Sequence, residues 1–135
     1  MQNFNKPYPI ERILAFATYL TAGFVGVAWM VIAALLKRSI TKFLLYHIMQ
    51  SIFLSILFVL VSYFAGLVYV ILYRIPLINI IPYLLSMPLP FVFDLSIVQL
   101  FTTTIILYLA IMAGMGYYSY LPWVSNIIKA NLGSR

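Results

Sequence analysis

Charged side chains divide the chain into four uncharged runs, at 13–36, 43–73, 75–93 and 95–128, in which apolar residues far outnumber polar ones. A helix crosses the hydrocarbon core of a bilayer with about 20 apolar residues, so each run is long enough for at least one crossing. The first, "ILAFATYLTAGFVGVAWMVIAALL", closes on Lys37 and Arg38 and reads as a span over about 12–36. The second reads as a span over 44–72; tilt or an interfacial first turn near Lys42 absorbs its extra length. The third, 75–93, holds Pro76, Pro82, Pro88 and Pro90. It reads as a kinked helix, a short helix with an extended end, or a re-entrant segment, because irregular backbone survives at that depth only under a cover of protein or water. The fourth reads as a span over 96–117, ended by Gly114, Gly116 and Pro122. After it, "LPWVSNIIKANL" (121–132) has the pattern of a short amphipathic helix on the membrane surface. The expected fold is an all-α integral membrane protein: one domain over 1–135, a bundle of four transmembrane helices with the proline-rich run as the third, and a C-terminal interfacial helix.

At 100° per residue, small and weakly polar residues fall into stripes. In the second run His47, Ser51, Ser55, Ser62 and Gly66 share an arc, with Gln50 beside it. In the last, Gln99, Thr103, Ala110 and Gly114 share a face; in the first, Ala15, Ala22, Gly26 and Ala33 do, flanked by Thr18. Small residues let membrane helices approach closely, and hydroxyls and amides bond across the contact. The stripes therefore predict helix seams or a partner-binding face. A polar conduit built from this chain alone would carry more polar side chains.

Composition supports the membrane reading. The chain is 65% hydrophobic and 7% charged, with mean hydropathy +1.09, against about 25% charge in soluble domains. It contains no cysteine, so disulfides and thiolate-bound metals are excluded. The net charge of +6 is scattered rather than run together, which argues against nucleic acid. Assigned to four spans, the basic residues divide five (Lys6, Arg12, Arg74, Lys129, Arg135) against three (Lys37, Arg38, Lys42). That count puts both termini inside, whereas the compact 37–42 cluster argues the reverse. Tyr8, Tyr73, Tyr117, Tyr118, Tyr120 and Trp123 stand near run boundaries as an aromatic belt. The first residues, "MQNFNKPYPIERIL", lack the Arg/Ser-rich amphipathic pattern of a transit peptide, which suits a chain made where it works or already processed.

Little in the sequence carries chemistry. His47 is the single histidine and the one candidate pigment or haem ligand; a hydrogen bond to Ser51, a backbone carbonyl or a lipid headgroup is the plainer expectation. Glu11 adjoins Arg12, which predicts a boundary ion pair. Asp94 precedes "LSIVQL" and is expected to cap that helix. Paired carboxylates, an activated serine and a phosphate loop are all missing, so no catalytic residues, no cofactor and no enzyme activity are expected.

Three segments, in order, carry a resemblance. "ERILAFATYL" (11–20) is similar to an opening Arg-x-x-Ala-x-x-x-Tyr-Leu. "FLLYHIMQSIFLSILFVL" (43–60) carries Met49–Gln50 with His47 before it. "GYYSYLPWVSNIIK" (116–129) has Gly116, Tyr118, Pro122 and Ser125. Together they resemble the Tic20 family, small four-helix proteins of the plastid inner envelope and of bacterial, including cyanobacterial, plasma membranes. Leu45 stands where that family has an arginine, and the proline-rich run departs from it most. The resemblance implies a membrane subunit of a preprotein-import translocon, with partner subunits, lipids and translocating polypeptide as its contacts. The alternative is an accessory or assembly subunit of a photosynthetic or respiratory complex, with His47 touching a pigment.

Overall fold

The computed structural model describes residues 7–133. Those residues are all-helical, with six helices: α1 (Pro9–Leu20), α2 (Phe24–Leu35), α3 (Lys42–Leu72), α4 (Ile80–Ser86), α5 (Ile97–Gly114) and α6 (Val124–Gly133). They group into two compact units: the chain up to Ser55 together with Ile106 onward, and Ile56–Ile105.

The first unit departs from expectation at the first apolar run. A single span was predicted over 12–36, but the run breaks into α1 and α2, 12 residues each. At 1.5 Å per residue each is about 18 Å long, short of the roughly 30 Å hydrocarbon core. The break lies at Ala22 and Gly23, with φ of 53° and 95°. Two left-handed residues in succession reverse the chain, and glycine adopts that region without steric cost. α2 then runs back along α1, with Thr18 against Gly26, and Leu14 facing the same cavity as Ala33. Gly26 permits the approach: a Cβ there would stand 2.8 Å from both Ile48 Cγ1 and Thr18 Cγ2.

The reversal leaves few backbone groups bare. Ala22 N–H donates to Tyr19 O (3.3 Å), Gly23 N–H to Thr18 O (2.8 Å) and Phe24 N–H to Thr21 O (3.1 Å). Thr21 Oγ1 accepts from Val25 N–H at 3.2 Å, and the Ser55 hydroxyl lies 3.0 Å from Ala22 O. A turn satisfied in this way can sit at membrane depth, where an open one cannot. Hydropathy does not register the break, because 24 uncharged residues look alike as one helix or as two.

α1 opens with Pro9 at its first position, and Tyr8 N–H donates to Glu11 Oε2 (3.1 Å). Glu11 therefore caps α1 rather than pairing with Arg12, whose Nε donates to Pro7 O (3.1 Å). Around the hairpin the buried residues are Ala15, Thr18 and Tyr19 of α1, Gly26 and Ala33 of α2, Phe43 to Leu54 on one face of α3, Leu109, Ala110 and Ala113 of α5, and Val124, Ser125 and Ile128 of α6. α6 packs Val124 and Ile128 on Tyr46, with Met49 and Leu121 alongside, and leaves Asn126 and Ile127 exposed.

In the second unit, α3 continues from Ile56 with nearly every side chain exposed. Of the forms open to the proline-rich run, the structure has the short helix: α4 is seven residues, about 10 Å, flanked by turns. Asp94 does not cap α5. It sits at φ 55°, two residues too early. Ser96 takes the role with Gln99: Gln99 N–H donates to Ser96 Oγ (3.3 Å) and Ser96 N–H to Gln99 Oε1 (2.9 Å), a capping box.

Among the described residues two helices are long and apolar enough to cross a membrane: α3, with 31 residues, and α5, with 18. Their exposed faces carry large apolar side chains, among them Val59, Leu60, Tyr63, Phe64, Phe101 and Leu107, as expected where lipid rather than water is the solvent.

Candidate functional site

Inside the first unit, Tyr19 of α1, Tyr46, His47 and Gln50 of α3, and Ser119 and Ser125 at the α5–α6 end are all buried. They form one hydrogen-bonded cluster. Tyr19 Oη lies 2.8 Å from Gln50 Oε1 and 2.9 Å from His47 Nδ1. Ser119 Oγ–H also donates to Gln50 Oε1 (3.1 Å), and Gln50 Nε2–H to Ser125 Oγ (3.3 Å). Leu121 N–H donates to Ser125 Oγ (2.7 Å). Tyr46 Oη lies 2.7 Å from Ser119 O and 2.8 Å from Ser125 Oγ.

Counting protons orients the cluster. Gln50 Oε1 and Ser119 O can only accept. The single Tyr19 proton therefore goes to Gln50; otherwise two oxygens 2.8 Å apart would face each other with no hydrogen between them. His47 must then donate from Nδ1–H to Tyr19 Oη, which in the neutral ring leaves Nε2 as a bare acceptor. Among the described residues His47 Nε2 is the one fully buried side-chain polar atom without a partner. Aromatic rings enclose it: Phe43 edge-on at 4.6 Å, Tyr46 edge-on at 5.4 Å and Tyr118 nearly parallel at 6.1 Å. Beyond the end of α5, partial burial raises the Tyr118 phenol pKa, and neighbouring Tyr46 and Glu11 add to the shift. The closest hydrogen-bond partner of His47 is thus the Tyr19 hydroxyl rather than Ser51, and the Tyr117 backbone also acts on the ring, as the expected carbonyl would.

The residues expected to form one packing face are divided. His47, Gln50 and Ser51 are buried in the first unit, where the Ser51 hydroxyl bonds Ile48 O (2.8 Å). Ser55 serves the α1–α2 turn. In the second unit Ser62 and Gly66 line an open groove of about 540 Å³ with Asp94, Ser96 and Gln99. A Cβ at Gly66 would meet nothing within 4 Å, so no described helix packs on that glycine. Thr103 is half-buried, and Gly114 faces Phe16 of α1. The stripe of the first run survives as a contact between two helices, with Ala15 and Ala33 buried and Ala22 given over to the turn.

Sequence reasoning missed Tyr46 and Ser119 as site residues and did not link Tyr19 to His47. In sequence a buried tyrosine looks like any tyrosine of an aromatic belt. The available signal was the pairing of a histidine and a glutamine one turn apart in an apolar helix, since both need partners that the helix itself cannot supply.

Comparison with family models, with curated proteins and with solved structures gives no match to this chain.

Proposed function

We propose that the protein is a Tic20-like membrane subunit of a protein-translocation complex, acting through helix–helix association with partner subunits. One observation carries this reading. The three segments that resemble the family, 11–20, 43–60 and 116–129, supply every side chain of the buried cluster: Tyr19, then Tyr46, His47 and Gln50, then Ser119 and Ser125. Other matched positions meet too. Arg12 lies against Gly116, where a Cβ would stand 2.9 Å from its Nε, and Tyr118 stacks on His47. A resemblance arising by chance would have no reason to converge in space.

In this reading four helices lie in the bilayer, but not the four suggested by run length: α3 and α5 cross it, and the α1–α2 hairpin enters and leaves on one side. The charge distribution favours this arrangement. Arg12, Lys37, Arg38 and Lys42 then share one face and Arg74 lies on the other, which removes the conflict left by four spans and makes the basic face the inner one. A plastid inner envelope or a bacterial plasma membrane would house it. The exposed Ser62–Gly66 face of α3 is the surface offered to a partner helix. Photo-crosslinking from Ser62 and Thr103 in intact membranes tests the assignment: adducts with translocon subunits or with a precursor in transit are expected, and none in a working translocon would reject it.

The partnerless His47 Nε2 favours a second reading, an accessory subunit of an energy-transducing complex with a pigment at that nitrogen. Such a ligand requires Phe43 or Tyr118 to swing away. A visible absorption spectrum of the purified protein, lost in His47→Ala, would support it; a colourless protein would remove it.

A further inference from the structure

A cavity of about 180 Å³ lies where the start of α1, the end of α2 and the start of α3 meet. Its wall is partly apolar, with Leu14 and the Trp29 ring, and partly polar, with Glu11, Arg38, Ser39 and Thr41. Two residues of opposite charge line this one small space without pairing: among the described residues no ion pair joins Glu11 and Arg38, and no carboxylate neutralises Arg38. One Glu11 oxygen accepts from Tyr8 N–H, and the other has no hydrogen-bond partner among the described residues. Glu11 is partly buried and Arg38 exposed, so both charges stay available to a ligand from outside the chain.

We propose that this cavity binds the headgroup of a phospholipid bearing a primary amine, with phosphate on Arg38 and ammonium on Glu11. The guanidinium fork matches phosphate oxygens, and the Ser39 and Thr41 hydroxyls add donors beside it. The Trp29 face attracts an ammonium. A purely anionic headgroup would satisfy Arg38 but press against Glu11, so the pair selects a zwitterion. The site lies within the basic cluster that bounds the apolar runs, at the depth where headgroups sit. The inference rests on the membrane setting and the α1–α2 hairpin, and not on a translocon role.

The test is lipid retention by the full chain. Protein from nanodiscs of equal phosphatidylethanolamine, phosphatidylglycerol and phosphatidylcholine is released into mild detergent, and bound lipid is counted by native mass spectrometry. Wild type is expected to keep phosphatidylethanolamine at least fivefold over the other two. Arg38→Gln, at an exposed position that spares the core, should lose about tenfold of that retention, and Arg38→Lys should recover part of it. Glu11→Gln keeps the helix-capping oxygen and should erase the preference for phosphatidylethanolamine over phosphatidylglycerol. Lys37→Gln removes a charge from the same loop but not from the cavity and should change retention less than twofold. Equal retention of all three lipids by wild type, full retention by Arg38→Gln, or a loss in Lys37→Gln as large as in Arg38→Gln would overturn the site. Displacement of the lipid by soluble glycerophosphoethanolamine at equal concentration would overturn its assignment to a lipid. Incorporation into nanodiscs is scored separately, so failure of the site leaves the membrane reading intact.

Discussion

Tyr19 Oη and His47 Nδ1 stand 2.9 Å apart across 28 positions of sequence, and the Tyr19 hydroxyl also reaches Gln50 Oε1 at 2.8 Å. This one oxygen joins the first arm of the hairpin to the long helix, and Gln50 carries the link on to Ser119 and Ser125. The cluster holds the unit together because none of its members can find water.

Gln50→Leu strips the acceptor from Tyr19 and Ser119 and the donor from Ser125 while keeping much of the volume. Buried groups left unpaired cost about 1–3 kcal/mol each, and some of them re-pair, so a loss of roughly 2–4 kcal/mol is expected. Tyr19→Phe should cost less, about 1–2 kcal/mol, since Gln50 Oε1 keeps Ser119. Reversible unfolding in mixed micelles measures both. The double variant should fall short of the sum, because the two share one bond; strict additivity would mean that the bond contributes nothing.

Gly26→Val and Gly66→Ala should behave in opposite ways although both glycines lie on predicted stripes. Gly26 has Ile48 and Thr18 at 2.8 Å from a Cβ, whereas Gly66 has open space. Overpacking predicts a loss of about 1–3 kcal/mol at Gly26. At Gly66 alanine should be neutral or stabilise the isolated chain by up to about 1 kcal/mol. If Gly66 is a partner-helix seam, replacement by leucine should weaken copurification of partner subunits while leaving the melting temperature of the isolated chain unchanged.

Ser96→Ala removes the cap of α5 and should cost about 1 kcal/mol, while Asp94→Ala should cost less, about 0.5 kcal/mol. The reverse ranking would restore Asp94 as the cap. The distinction turns on register: either residue fits a helix start, but only Ser96 has Gln99 three positions on.

These cases show how far the sequence was legible. Helical class and apolar surroundings follow from composition and run length, because burial scales with apolar content. The importance of Gln50 and His47 was visible as two polar groups on a helix with nothing of its own to pair them. Tyr46 and Ser119 were hidden, since tyrosine and serine are common at membrane boundaries for unrelated reasons. The hairpin was hidden most thoroughly: "TYLTAGFVG" carries its reversal in the backbone angles of Ala22 and Gly23, and hydropathy sums are blind to chain direction. The proline-rich run signalled a break, but the prolines alone left its form open.

The hairpin is the claim on which the charge asymmetry and the headgroup cavity both depend, and it reverses the sidedness of one end of the first run. The chain has no cysteine, so single cysteines placed at Ile10 and at Lys37, both exposed, can be labelled with a membrane-impermeant maleimide in sealed vesicles of one orientation. The account predicts that both react from the same side. Labelling from opposite sides would mean that residues 12–36 cross the membrane as one helix, and would contradict it.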